Sequence, residues 1–136
     1  MELVLILIGM FLLIIGGVFY VQNTVLWFSS QIPEINNAGG ILAYSEGDGA
    51  QIIDASLTVS DLDDANIESA VVRISSGFVS TEDVLDFSSI SNITGTYNSA
   101  TGILTLSGVD TLANYETALE SVTYENSNTT HPSPVD

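Results

Sequence analysis

The sequence predicts an all-β sandwich placed behind one hydrophobic α-helix, and three observations predict it. From Gln31-Ile32-Pro33 onward, short runs of alternating apolar and polar residues are separated by clusters of Gly, Asn, Asp and Ser, the texture of half-buried strands. Before that point, Leu3 to Val21 contains no charged residue and none more polar than Tyr20. Charge is divided in the same way, because of the 17 acidic residues only Glu2 precedes Glu34. The resulting division is a hydrophobic helix over 1–28, a linker and domain entry over 29–40, and a sandwich over 41–136.

The first element is long enough to cross a bilayer as a helix, which takes roughly 20 apolar residues. Gly9, Gly16 and Gly17 lower helix propensity in water but are tolerated where helices pack closely. Tyr20, Trp27 and Phe28 suit an interfacial belt. No Lys or Arg stands beside Met1-Glu2, so neither a signal-peptide n-region nor a positive-inside orientation is encoded, and the segment reads as an already processed N-terminus. Two uses follow, a membrane anchor through residues 3–28 or a filament core. In the second, Leu5, Ile8, Phe11, Leu12, Ile15, Phe19 and Trp27 form the assembly surface.

The strands come next. Ile41 to Tyr44 reads as the first, and Leu57-Thr58-Val59-Ser60 sets Leu57 and Val59 on one face. Ala70, Val72 and Ile74 point inward with Arg73 outward. Ile93 to Tyr97 and Ile103 to Leu106 flank Asn98-Ser99-Ala100-Thr101-Gly102, a polar stretch ending in Gly that suits a hairpin. Leu112, Tyr115, Ala118 and Leu119 follow helical spacing behind Asp110, which predicts a short helix over 111–119 capped by that aspartate. Val122 to Glu125 then returns to strand.

Composition excludes several functions. The 136 residues carry one Lys or Arg against those 17 acids, a net charge of −16, so a phosphate backbone meets no basic surface and nucleic acid is excluded as a partner. Cys is absent, which removes disulfides, thiol catalysis and thiolate metal sites. The single histidine, His131, lies in a Pro-rich tail with no second catalytic component. Glu82-Asp83 imitates a paired carboxylate but reads as a solvated turn, and no phosphate-binding glycine loop is present. No enzymatic activity is expected.

Oxygen donors are another matter. Asp61, Asp63 and Asp64 share one loop, and Glu46 and Asp48 lie in a second loop that a sandwich can bring close. Hard carboxylate ligands at this density suit Ca²⁺, which takes 6 to 8 of them. Asn92-Ile93-Thr94 and Asn128-Thr129-Thr130 match the N-glycosylation triplet, making Asn92 and Asn128 candidate acceptors.

Two resemblances bear on this layout. A charge-poor hydrophobic N-terminus followed by one β-rich domain resembles the architecture of pilins and archaeal flagellin-like subunits, although Leu5 stands where many bacterial pilins carry a glutamate. The stretch from about Pro33 to Pro134 resembles the cadherin-like, immunoglobulin-like repeats of large bacterial surface adhesins. It does so at Pro33-Glu34-Ile35, Gly40 to Ala50, Leu57 to Asp63, Glu82 to Leu85, Ile93 to Tyr97, Thr101 to Gly108 and Tyr115 to Asn126, in that order. That resemblance implies an extracellular Greek-key sandwich, with calcium between successive domains, and its final strand is missing here. The missing strand would leave Val122 and Tyr124 on an open edge, to be filled in trans by a segment such as Asn23 to Phe28 of another subunit. The expected function is the subunit of a cell-surface, pilus-like homopolymer, and the alternative is an adhesion or binding module anchored to the envelope.

Overall fold

A computed structural model describes residues 11–15, 18–22, 31–45 and 47–128. The chain divides into two compact units, Met1–Ser30 and Gln31–Asp136.

In the first unit, β1 (Phe11–Ile15) and β2 (Val18–Gln22) pair antiparallel, from Phe11 opposite Gln22 to Ile15 opposite Val18. Over these residues the predicted helix does not form, and Phe11, Leu12, Ile15 and Phe19 stand on strands. β-branched and aromatic residues dominate both segments and favour a pleated backbone, while the Gly16-Gly17 pair between them in sequence is a poor helix interior. A continuous apolar run does not itself distinguish the two states. Leu5, Ile8 and Trp27, and the Asn23 to Phe28 segment, lie outside the described residues. No helix among the described residues is long and apolar enough to cross a membrane.

The second unit is mostly antiparallel sheet with one short helix. One three-stranded sheet has β9 (Ile103–Thr111) between β6 (Asn66–Arg73) and β8 (Thr94–Asn98). The other has β10 (Thr123–Asn126) between β4 (Gln51–Ile52) and β7 (Asp83–Asp86). A separate pair joins β3 (Glu34–Asn36) to β5 (Thr58–Ser60). The two three-stranded sheets and α1 (Leu112–Glu120) contribute to one core, in which Leu85, Ile93, Leu104, Leu106 and Tyr115 are almost inaccessible. Two sheets sharing one core fit a sandwich arrangement.

Alternation places side chains as the pattern requires. Leu104 and Leu106 of β9 are buried, and Ala70 and Val72 of β6 are half-buried while Val71 and Arg73 are exposed. The β8–β9 hairpin turns over 99–102, with Ala100 N–H donating to Asn98 Oδ1 at 3.0 Å and Gly102 at φ +66°. Helix α1 buries Tyr115, Ala118 and Leu119. Its N-cap is Thr111 rather than Asp110, since Thr111 Oγ1 accepts from Asn114 N–H at 3.2 Å.

Asp110 instead holds neighbouring elements together. Its carboxylate accepts from Asn92 N–H at 3.0 Å, Thr111 N–H at 2.9 Å and Asn114 Nδ2 at 2.6 Å. These bonds, led by that from Asn114, hold its pKa well below the ordinary carboxylate value. Strand β9 runs on past Leu106 and carries a bulge there: Ser107 faces Ser69 and Asp110 faces Ile67, so Gly108 and Val109 together oppose Glu68.

Ile41 to Tyr44 is irregular rather than a strand, with Ile41 96% exposed. The edge of β10 there is met by Gln51 and Ile52.

Candidate functional site

The acidic loop grows directly out of β5. Asp61 Oδ1 accepts from the backbone N–H groups of Asp63 at 3.1 Å and Asp64 at 3.2 Å, closing a tight turn on its own side chain. The bond from Asp63 is the largest cause of a lowered Asp61 pKa, so this carboxylate is held ionised. Both oxygens of Asp63 accept from Gln31 N–H, at 3.0 and 3.1 Å. One carboxylate oxygen from each of Asp61, Asp63 and Asp64 can be chosen so that all three lie within 4.8 Å of one another. The loop therefore brings together three of the four expected metal ligands, and the fourth, Glu46, lies outside the described residues.

One atom in this loop is unusual. Asp61 Oδ2 is buried and accepts no hydrogen bond among the described residues. A small cavity of about 30 Å³ lies at this place, lined by Gln31, Ile32, Glu34, Ser60, Asp61 and Leu62. A desolvated carboxylate oxygen without a donor is costly, and a cation beside it removes that cost. Glu34 reaches the cavity through the β3–β5 pairing, in which it faces Ser60. Sequence spacing did not point to it, because the pairing joins residues 26 positions apart.

A second polar cluster fastens β7 to β10. Asp83 is only 4% exposed. Its carboxylate accepts from Val79 N–H at 2.7 Å, Tyr124 Oη at 2.7 Å and Asn126 Nδ2 at 3.3 Å, and its backbone carbonyl accepts from Tyr97 Oη at 2.7 Å. The expected solvated turn at Glu82-Asp83 is thus corrected: Asp83 opens β7 and points inward, and Glu82 Oε1 accepts from Asn128 Nδ2 at 3.0 Å. Burial, then the bond and charge of Asp83, push the Tyr124 hydroxyl up to about 12.

Val122 and Tyr124 are not on an open edge. Strand β10 is central, with Tyr124 facing Leu85 on one side and Gln51 on the other, and Val122 C=O accepts from Ile53 N–H at 3.0 Å. Strand β4 supplies the cover that the irregular 41–44 segment does not. Of the two glycosylation candidates, Asn92 is exposed, whereas Asn128 is half-buried and engaged with Glu82.

No family model and no solved structure matches this chain. Halomucin of Haloquadratum walsbyi (strain DSM 16790 / HBSQ001) is 40% identical over 107 residues, which is 75% of this chain and 1% of halomucin. The chain thus matches about one hundredth of the length of that relative. No cadherin-like family is named by these comparisons, so that finer resemblance rests on the motifs alone.

Proposed function

We propose that this chain is a β-sandwich module of a cell-surface protein that acts by binding or spacing. The observation that carries this reading is the 40% identity to a stretch of halomucin, whose own length is about a hundred times the matched segment. A compact antiparallel unit with an acidic surface and almost no cationic groups suits solvent-facing display, because net charge far from zero keeps such modules soluble and separate. The pilus-like filament reading rested on a helix over 1–28, and strands occupy its centre, so the module reading is preferred. Antibody raised against the second unit should label intact cells of the source organism, and protease added outside should remove the label. Labelling only after permeabilisation overturns the proposal.

The second reading concerns calcium and is favoured by the unpartnered Asp61 Oδ2. Asp61, Asp63 and Asp64, with Glu34 beside the cavity, supply oxygen donors of the kind Ca²⁺ takes. Bound there, the ion would neutralise part of the loop's charge and tie β5 to the domain entry at Gln31. Weak extracellular sites have Kd near the millimolar range, so about 10 mM calcium should stabilise the fold by about 1.4 kcal/mol and raise Tm by several degrees. Asp61→Asn should abolish the response to calcium while leaving the response to sodium chloride intact. Equal calcium responses in the two proteins would remove the site.

A further inference from the structure

Each three-stranded sheet has two edge strands, β4 and β7 in one and β6 and β8 in the other, and an open cleft lies beside β6. It comprises two cavities, of about 480 Å³ and about 350 Å³, that share Ile53, Val72 and Arg73 in their linings. Leu85 and Tyr124 line the larger part and Leu57, Leu119 and Val122 the smaller, with Asp83 also in the larger and Asp54 in the smaller. Strand β4 covers only Thr123 and Tyr124 of β10. Beyond them Asn126 N–H donates to the Tyr44 hydroxyl at 3.1 Å, so a side chain does there what a strand backbone would otherwise do.

The opposite wall is the eight-residue strand β6, whose backbone pairs with β9 on one side and with no strand on the other among the described residues. Native edge strands are commonly shortened, charged or covered, since unpaired N–H and C=O groups accept further strands. Here β4 is short and β6 carries Glu68 and Arg73, yet apolar side chains also stand exposed nearby, Val71 at 62%, Ile35 at 55% and Ile52 at 51%. Arg73, at the centre of the cleft and exposed, is the only Lys or Arg of a chain with net charge −16. Its guanidinium makes no ion pair or hydrogen bond among the described residues, despite 17 acids in the sequence.

We propose that this cleft receives one extended polypeptide strand of another protein, apolar at alternate positions and bearing a carboxylate that meets Arg73. Three features of the cleft each call for one feature of that partner. The free edge of β6 calls for a peptide backbone running alongside it, as in β-augmentation. The apolar walls call for every second side chain to be apolar, because alternate residues of a strand point to one face. The lone guanidinium calls for a carboxylate, which it grips in a planar, charge-assisted pair. A small apolar ligand would satisfy only the second of these. The inference rests on the binding-module reading above and names the partner's chemistry. Surface labelling tests that reading and peptide binding tests the cleft, so the two can fail separately.

The probe is a fluorescent, capped heptapeptide alternating valine and threonine with glutamate at its centre, titrated with the full-length protein and read by anisotropy. A glutamine version and a version N-methylated at alternate residues serve as comparisons. The glutamate peptide should bind about five- to tenfold more tightly than the glutamine peptide at low salt, the size expected of one charge-assisted contact. Arg73→Met should bind both equally, and the N-methylated peptide, which lacks the backbone donors, should not bind. Absence of binding at millimolar protein, equal affinity for the glutamate and glutamine peptides, or undiminished binding of the N-methylated peptide would each overturn the proposal. So would sedimentation showing a concentration-dependent dimer lost in Arg73→Met, which would assign the cleft to a second copy of this chain.

Discussion

Gly108→Ala is expected to destabilise the second unit by about 3 kcal/mol or more, a loss that brings an ordinary single domain close to unfolding. Gly108 sits in the β9 bulge at φ +133°, a conformation an L-residue adopts only with strain. A Cβ there would also clash with the backbone carbonyl oxygen of Asn92, and no flexible side-chain end is available to give way. The bulge cannot simply move. Tyr115, fully buried in α1, donates its hydroxyl to the Gly108 carbonyl at 2.7 Å, and Asp110 two residues further on receives Asn92 N–H. Shifting the Asn92 backbone to relieve the clash would therefore strain the Asp110 bonds as well. Urea unfolding at fixed salt measures the effect, with Gly49→Ala as the control. Gly49 also has a positive φ, +68°, but nothing lies within 4 Å of its Cβ position, so that variant should lose only about 1 kcal/mol. Tyr115→Phe, which removes the hydrogen bond and keeps the ring, should lose about 1 to 2 kcal/mol. Equal losses in Gly108→Ala and Gly49→Ala would show that the bulge relaxes freely.

The parts of this fold that could be read from sequence are those whose side chains obey a local period. Ala70 and Val72 alternate with Val71 and Arg73 and mark β6, and Tyr115, Ala118 and Leu119 mark the buried face of α1. What was hidden depends on distant partners or on residues that break the pattern. Strand β4 is two residues long and exists only because Thr123 and Tyr124 lie beside it. Strand β7 begins with an inward carboxylate, Asp83, which sequence logic sends to the surface until Tyr124 and Asn126 arrive to bond it. The apolar run from Phe11 to Gln22 has no polar alternation to separate strand from helix. At the candidate metal loop, the density of Asp61, Asp63 and Asp64 was visible, but the place of Glu34 beside the small cavity needs the β3–β5 register. Arg73 was conspicuous as the only cation, yet nothing local places it over an apolar cleft.

Raising sodium chloride from about 0.1 M to about 2 M should increase the Tm of the full-length protein by about 10 °C or more, the largest change in stability expected without altering the sequence. Sixteen of the 17 acidic residues follow Ser30, against Arg73 alone, so the second unit has almost no cations with which to form ion pairs. Several of its carboxylates accept from N–H and O–H donors instead. Asp54 accepts from the Ser56 hydroxyl and N–H and from Gly39 and Gly40 N–H, with the Ser56 hydroxyl the largest cause of a pKa lowered to about 2. Such bonds satisfy the individual group but leave repulsion between groups untouched, and the unfolded chain relieves that repulsion by expanding. Salt acts on the repulsion directly, since the screening length falls from roughly 10 Å at 0.1 M to 3 Å at 1 M. Most of the gain should therefore appear below about 1 M, with sodium sulfate adding a further rise at higher concentration by its exclusion from the protein surface. Acid should act in two stages at low salt. Moderate acidification removes repulsive charge and raises Tm. Asp54 has a folded pKa below its unfolded value, so its stabilising contribution is complete above pH 4 and is lost as pH falls through about 2, where Tm should drop. A Tm that is flat in chloride from 0.1 to 2 M and rises only in sulfate would show that self-repulsion is not what limits this fold, and that salt acts on it through burial alone.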